Sequence, residues 1–367
     1  MQQQPSGFAH TTIPVTGILL VNLGTPEAPT PAAVRHYLKE FLWDPRVVEI
    51  PRPLWWIILH AIVLTTRPAR SARAYRKIWT DNGSPLLYHS LQQRDALQDV
   101  LQRRIAGPVK VATGMRYGKP SIAAGLEELR AAHADRILVF PLYPQHSAAS
   151  TATALDAVAA TLEQWRRVPD LRFIAQYHDH AGYIGAVASS IRRFWDAGGK
   201  PAQLLFSFHG MPRRTLLAGD PYHCQCQKTA RLVAEQLGLR EDEWTIAFQS
   251  LFGREEWLRP YASETLERLG REGLASIDVV CPGFSADCLE TLEEMALQNK
   301  TVFQQAGGGQ YRYIPALNDT PEHIEALADI VLQNVRGWPA IDAWDAEAAA
   351  SEAAQCEQRA RALGADS

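Results

Sequence analysis

Cysteine is scarce in this 367-residue chain, which contains only five cysteines spread over its second half. Secreted proteins that depend on disulfides carry dense, even-numbered sets of cysteines. The sparse pattern here therefore predicts reduced thiols and a cytoplasmic location.

Long hydrophobic runs are also absent. The longest, LWWIILHAIVL at residues 54–64, has about half of the ~20 residues that are needed to cross a bilayer. It predicts either a core helix or a hydrophobic lip, and its flanking Arg52, Arg67 and Arg70 suit an anionic interface. We expect at most a peripheral, reversible contact with the inner membrane. Residues 1–14 lack a basic stretch followed by an apolar one, so we expect no signal peptide.

A surplus of basic charge is missing, because 37 Lys and Arg residues are balanced by 40 Asp and Glu residues. Nucleic-acid binding depends on a positive field, so we exclude nucleic acid as a partner. Neither G-x-G-x-x-G nor G-x-x-x-x-G-K-[ST] occurs, which argues against a two-domain nucleotide binder. We take a monomer as the expectation.

What the chain does contain is a regular alternation of short aliphatic runs and amphipathic stretches, typical of a parallel α/β sheet. The runs are almost continuously apolar, which indicates strands buried on both faces. The predicted strands are residues 17–23, 109–113, 137–142, 171–176, 204–208, 245–249, 277–281 and 311–314.

The chain length and a polar break at residues 165–170 favour two doubly wound domains with about four strands each. We predict an N-terminal domain over residues 14–168 and a C-terminal domain over 169–337, whose last helix packs back on the first domain. Residues 338–367 form an Ala-rich, charged tail, predicted to be a loose helix or disordered.

His209 comes directly after a predicted strand, in LLFSFHGMPRR. Functional groups of doubly wound folds collect at the carboxyl ends of strands, beside the crevice. With an ordinary pKa near ~6.5, such a histidine is suited to accept a proton or to bind a metal. The alternative is a histidine whose nitrogens are satisfied by the backbone of a turn.

Two glutamates in CPGFSADCLETLEE form a second candidate group, on a helix predicted to begin near Asp287. Their spacing of four places Glu290 and Glu294 on one helical face. Mutual repulsion would let one of them hold a proton, which suits proton transfer or binding of a hard cation. In the alternative interpretation, Asp287 and Glu290 form a capping box and Glu294 is solvated.

Aromatic residues near these segments could line a flat apolar pocket, although each alone is more typical of a core. Arg116, in MRYGKP, is suited to meet a ligand carboxylate, whereas Ser84 lies in a predicted turn. The aromatic candidates are Tyr75, Trp79, Tyr88, Tyr117, Tyr143 and Phe284.

Seven segments, in order along the chain, closely resemble the ferrochelatase family. Together they span most of the sequence, and the tail beyond about residue 338 lies outside them. They are NLGTP at 22–26, NGSPL at 82–86, YPQHS at 143–147, SFHGMP at 207–212, GDPY at 219–222, FQSLFGREEWL at 248–258 and CPGFSADCLETLEE at 281–294.

The resemblance implies two similar Rossmann-like halves, each with a roughly four-stranded parallel sheet flanked by helices, and porphyrin bound in the cleft between them. It implies insertion of Fe²⁺ into protoporphyrin IX with release of two protons, the final step of haem biosynthesis. The family's active-site histidine corresponds to His209 and its essential glutamate to Glu290, the pair expected to contact iron; Glu294 is the second acid. The implied porphyrin contacts are Ser84, Arg116, Tyr117, Tyr143 and Phe284.

The resemblance implies no prosthetic group, with Fe²⁺ as a substrate. Some relatives bind a [2Fe–2S] cluster through four C-terminal cysteines, and this tail has only Cys356. Cys224, Cys226, Cys281 and Cys288 would suffice for a cluster if the fold brought them together. Because their spacing is a weak ligand signal, we expect ordinary buried or helix-end thiols instead.

Two other functions remain open. One is a chelatase for another tetrapyrrole, such as coproporphyrin or sirohydrochlorin, or for another metal, such as cobalt. The other is a carrier that binds a tetrapyrrole or metal without catalysis. A carrier needs no proton acceptor beside a carboxylate pair, so the combination of His209, Glu290 and Glu294 argues for an enzyme.

Overall fold

The structure is a computed structural model that describes residues 13–251, 253 and 255–365. Nearly all of the segment assessed for a signal peptide therefore lies outside the described residues. Within the described part of the chain, no helix is both long and apolar enough to cross a membrane.

Among the described residues, eight strands form two separate parallel sheets of four, as the apolar runs predicted. In both sheets the second strand lies at one edge, followed by the first, third and fourth: β2-β1-β3-β4 and β6-β5-β7-β8. The repeated order confirms two similar Rossmann-like halves. The strands are β1 Val15–Thr25, β2 Val109–Gly118, β3 Ala134–Pro141, β4 Asp170–Phe173, β5 Gln203–His209, β6 Trp244–Gln249, β7 Ser276–Val280 and β8 Gln310–Tyr313.

Helices follow the strands of both halves. Those of the N-terminal half are α1 Pro31–Trp43, α2 Arg52–Ile58, α3 Leu64–Ile78, α4 Pro85–Arg104, α5 Ile122–Ala131 and α6 Thr153–Leu162, with π-helical turns at Leu59–Val63 and Ala148–Ala152. Those that follow are α7 Ala181–Gly198, α8 Arg213–Leu217, α9 Tyr222–Leu237, α10 Ala262–Arg271, α11 Lys300–Gln305, α12 Pro321–Asn334 and α13 Ala346–Ala362, with a 3₁₀-helix at Glu241–Glu243 and a π-helix at Glu290–Asn299.

Local chemistry accounts for several helix ends. Thr30 caps α1 by accepting a hydrogen bond from the Ala33 amide, and Pro31 occupies the first turn, where its missing N–H is harmless. Ser121 caps α5 in the same way. Gly238 ends α9 with φ 68°, a left-handed conformation that glycine adopts without strain.

The two halves share a continuous hydrophobic core. Leu20 of β1 and Leu97 of α4 belong to the same buried cluster as Phe206 of β5 and Leu327 of α12. α12 also packs directly against α4. The halves are therefore held in a fixed relation by apolar burial.

The fourth strand corrects the predicted boundary at residue 168. β4 pairs in parallel with β3, with Phe173 opposite Val139, so the first sheet continues past that position. The polar residues 165–170 are the approach to an edge strand, and the chain passes to the second half only after β4.

The predicted tail has two parts with different environments. Trp338 and Ile341 are buried in the shared core, and the Trp338 indole donates to Asp170 at 2.7 Å. The amide of Gly107 donates to the carbonyl of Ala340 at 2.8 Å. Only α13 beyond them matches the expected loose helix, since every one of its residues is at least partly exposed.

The apolar run at residues 54–64 has one buried face and one exposed face. Trp55, Leu59, Val63 and Leu64 are buried among α1 and α3. The opposite face forms a patch, here called the lip, of side chains that are each more than half exposed: Leu54, Trp56, Ile57 and Ile62.

A buried histidine in α12 ties stability to pH. The His323 Nδ1–H donates to the Asn318 carbonyl at 2.6 Å, and its Nε2 has no partner among the described residues. Burial lowers the pKa of His323 to about 4 from an ordinary value of 6.5. The folded protein therefore holds this ring neutral, whereas the unfolded chain protonates it as pH falls below 6.5.

We predict that this single ring makes the folded state lose about 2 kcal/mol of stability between pH 7 and pH 5. Urea unfolding of the native chain and of His323→Gln at both pH values measures the effect, because glutamine cannot titrate. The native chain should lose that much more stability than the variant. Equal losses in both proteins would contradict the assignment.

Candidate active site

His209 stands at the carboxyl end of β5, where it lies opposite Gln249, the last residue of β6. Its Nδ1 is 2.6 Å from the Gly210 carbonyl oxygen. Because a carbonyl only accepts hydrogen bonds, Nδ1 carries a proton, and Nε2 is the nitrogen left to accept a proton or bind a metal. The turn thus satisfies one nitrogen and leaves the other as the basic atom.

The two candidate glutamates lie on the π-helix Glu290–Asn299, which departs from the predicted α-helix beginning near Asp287. Helices with i→i+5 bonding are rare overall, and those that occur are often found at functional sites. Burial raises the pKa of Glu294 above its ordinary value; the nearby charge of His209 opposes this rise and that of Glu290 adds to it. The three predicted groups are therefore close enough to influence one another.

Ser250, the first residue after β6, holds the Glu294 carboxylate. Its amide donates to Oε1 at 2.7 Å, and its hydroxyl makes a second hydrogen bond to Oε2. These bonds lower the pKa of Glu294 but only partly offset the effect of burial. Glu294 is thus a half-buried, firmly oriented acid rather than the solvated one of the alternative interpretation.

A buried hydrogen-bond chain fixes the backbone at Glu290. The Ser207 hydroxyl donates to Gln249 Oε1 at 2.6 Å, and Gln249 Nε2 donates to the Glu290 carbonyl at 3.0 Å. Glu290 also lies beside the Cys288 thiol, whose pKa is raised well above its ordinary value by burial and by this carboxylate.

The capping-box interpretation of Asp287 is wrong. Its carboxylate accepts hydrogen bonds from Tyr313 at 2.7 Å, Thr291 at 2.9 Å and Asn318 at 2.9 Å. None of these donors is an amide of the helix that follows. Asp287 instead anchors the start of the π-helix to β8 and to the loop after it.

Tyrosines of the N-terminal half lie near Glu290. We call Tyr37, Tyr75, Tyr117 and Tyr143 the tyrosine wall. Burial raises the pKa values of Tyr37 and Tyr75 well above 10, and the Glu290 carboxylate raises both further, which places it near them. Tyr117 and Tyr143 are also close enough to Tyr37 to raise its pKa. The Tyr143 hydroxyl is buried without a partner among the described residues, so a ligand atom could satisfy it.

The segments YPQHS and GDPY meet across the two halves. Asp220 accepts hydrogen bonds from the Ala148 amide at 2.8 Å and the Ser147 hydroxyl at 3.2 Å. Gln145 donates to the Thr229 hydroxyl at 3.0 Å. This contact sets the position of the tyrosine wall relative to the second sheet.

The predicted porphyrin contacts Arg116 and Tyr117 both bind Asp44. Arg116 forms an ion pair with it and Tyr117 donates to it at 2.9 Å. Arg116 also lines a groove of about 1260 Å³ together with Trp43 and Trp56; the described lining includes neither His209 nor the two glutamates. Its guanidinium thus already has an internal partner.

Ser84 and Phe284 lie where α4 meets the segment that leads into the π-helix. Ser84 is buried immediately before α4. Phe284 packs against Leu86, Ala286 and Cys288. Phe284 therefore helps to hold the segment that leads to Glu290.

Sequence reasoning missed three groups around the acids: Tyr37, Arg67 and Ser250. Burial lowers the pKa of Arg67, and the Glu290 charge acts against this, which places the guanidinium near the carboxylate. Ser250 had a usable signal, since it follows a strand end in FQSLFG. Tyr37 and Arg67 had none, because more than 200 residues separate them from Glu290.

No group of three or more His, Cys, Asp or Glu side chains within the described range is arranged to hold a metal ion. This includes the four cysteines considered for a cluster: Cys224 is exposed, whereas Cys226, Cys281 and Cys288 are buried.

Comparison with known proteins identifies the fold and then the family. SirB from Bacillus subtilis, solved with Fe³⁺, matches with a TM-score of 0.51 at 14% identity, over 90% of this chain and 100% of SirB. This likeness shows a shared duplicated Rossmann-like fold.

The sequence comparisons are more specific. The ferrochelatase family model matches residues 15–335. The ferrochelatases of Thioalkalivibrio sulfidiphilus and Nitrosococcus oceani are each 56% identical to this chain, over 98% of it and over 97% and 98% of their own lengths. The chain belongs to the ferrochelatase family, whose members are enzymes of the lyase class.

Proposed function

We propose that this protein inserts ferrous iron into protoporphyrin IX to give protohaem and two protons, the final step of haem biosynthesis. The observation that carries the proposal is the convergence of His209 with Glu290 and Glu294, near buried tyrosines of the N-terminal half. The reaction needs groups that present a metal and groups that accept protons, and this site supplies both.

The cleft must also change the shape of the porphyrin. A flat macrocycle keeps its two N–H groups in plane and cannot admit iron while losing both protons. Bending it exposes the nitrogen lone pairs. Apolar walls that contact the periphery of the macrocycle can supply the binding energy for this distortion.

Each polar group then has a distinct chemical capacity. His209 accepts a pyrrole proton at Nε2 or passes iron to the ring, and Glu290 is the carboxylate suited to contact iron with it. Glu294 has a raised pKa, which suits an acid that takes up protons and releases them. Iron is a substrate in this scheme, and no prosthetic group is needed.

The porphyrin contacts are proposed from the same cleft. The Tyr143 hydroxyl, which has no partner among the described residues, is the best placed of these groups. The Tyr117 ring is fully buried and its hydroxyl is bound to Asp44, so it would have to move to contact porphyrin. Phe284 and Ser84 are proposed as contacts from the place where α4 meets the segment that leads into the π-helix. Arg116 can meet a propionate only by sharing or exchanging its ion pair with Asp44.

We predict that His209→Ala and Glu290→Gln each lower the rate of iron insertion by about 100-fold or more, the usual contribution of one acid–base group. Anaerobic turnover with protoporphyrin IX measures the loss, and circular dichroism checks the fold. Glu235→Gln is the matched control, because Glu235 is an exposed glutamate of α9 that, among the described residues, pairs only with Arg231 of the same helix. Near-native turnover in either active-site variant would overturn its role.

We also propose that the lip rests on the inner membrane, where porphyrin is delivered and haem withdrawn, and that the enzyme acts as a cytoplasmic monomer with this peripheral contact. The support is physical: four large apolar side chains are exposed together, and such patches mark interaction surfaces. Arg52 lies at one end of the run and Arg70 beyond the other, which suits anionic headgroups.

We predict that the protein floats with anionic phospholipid vesicles and that the double variant Ile57→Glu/Ile62→Glu does not, because buried charge opposes insertion of the lip. Leu217→Glu, which changes an exposed leucine in α8, should float like the native chain. Failure of the native protein to float would reject membrane contact.

A further inference from the structure

One dipeptide holds both acids of the π-helix. Gln249 binds the Glu290 carbonyl through its side chain, and the next residue, Ser250, binds both carboxylate oxygens of Glu294. The same dipeptide is tied to the histidine, since the Gly210 amide donates to the Gln249 carbonyl at 2.7 Å. The geometry between His209 and the two glutamates is therefore fixed at the end of β6.

Ser250 makes these bonds from an unfavourable backbone conformation. Its φ is 66°, in the left-handed region that non-glycine residues rarely adopt. Strain of this kind persists where surrounding contacts over-determine it, and it clusters at active sites. Here the conformation turns both the amide and the hydroxyl of one residue toward a single carboxylate.

We propose that Ser250 is a positioning residue for metal insertion, which holds the Glu294 carboxylate in place near His209 through its amide and its hydroxyl. The inference rests on the proposed function and adds to it a residue that touches neither iron nor porphyrin. A carboxylate in this position would otherwise favour its neutral form, because burial penalises charge. Two donors from one residue counteract that penalty.

Several titratable groups near Glu294 influence its pKa and therefore affect any pH profile that depends on it. His209 at the end of β5 favours the charged carboxylate, while Glu290 on the same helix opposes it. The Cys281 thiol, at the end of β7, is also within electrostatic reach. On the far side of the helix, Lys77 of α3 is bound to Glu293. Ser250 is the neighbour that donates to Glu294 without titrating.

The test compares the pH dependence of kcat for anaerobic iron insertion in the native chain, Ser250→Ala and Ser250→Gly. Loss of the hydroxyl removes one bond to the charged form, so Glu294 should stay protonated to higher pH. Since proton uptake by Glu294 needs the ionised carboxylate, the acidic limb of the profile should move upward by about one pH unit. Rates above the limb should change little.

The two variants separate the hydroxyl from the backbone. Alanine keeps the strained φ, whereas glycine relieves it, and both lack the hydroxyl. Equal upward shifts therefore support the proposal. Leu251→Ala, which alters the exposed neighbour in the same loop, should keep the native profile.

An unchanged acidic limb in both Ser250 variants, or a fall in rate at all pH values without a shift, would overturn the role of Ser250 while leaving the proposed function intact. If the native chain inserts no iron at any pH, the proposed function itself fails. Thermal unfolding of each variant verifies that the comparison is made between folded proteins.

Discussion

The attachment of the π-helix to its surroundings is the constraint on which the site depends. Three elements hold it in place. Asp287 anchors its start to β8. Gln249 and Ser250, at the end of β6, donate hydrogen bonds to it, and Lys77 of α3 binds Glu293. Leu289 and Leu292 add apolar contacts to the helices of the N-terminal half. Both halves of the protein therefore determine where the two acids point.

This arrangement resolves a conflict between burial and charge. A half-buried carboxylate is unfavourable unless it is hydrogen-bonded, and proton transfer benefits from an acid whose pKa lies nearer to the working pH. The site meets both requirements by burying Glu294 and then supplying Ser250 as a double donor. The sheet beneath supplies rigidity, since Ser250 directly follows β6, which pairs with β5.

Much of the fold and the core of the site could be predicted from the sequence. Buried parallel strands are short, continuous apolar runs, so all eight were found, and His209 was found because functional groups follow strand ends. The boundary failed at β4 because a polar approach to an edge strand looks like a linker. Trp338 and Ile341 were assigned to the tail because a buried anchor of two side chains leaves no periodic pattern.

The rest of the site depends on contacts that a sequence does not display. A spacing of four residues places Glu290 and Glu294 on one face in either kind of helix, so the pattern could not reveal i→i+5 bonding. Asp287 fitted a capping box by spacing, yet its donors come from β8, Asn318 and Thr291. The tyrosine wall and the Asp44 partner of Arg116 arise only when distant segments pack together.

Insertion of iron into protoporphyrin IX is the reaction that we propose for this site. The most direct measurement mixes purified protein, ferrous iron and protoporphyrin IX without air and follows the visible spectrum, with coproporphyrin in a parallel cuvette. Rapid conversion to the haem spectrum with protoporphyrin, and its loss in His209→Ala, is the predicted result. Conversion of coproporphyrin alone, or binding of either porphyrin without conversion, would show that the protein does not insert iron into protoporphyrin IX.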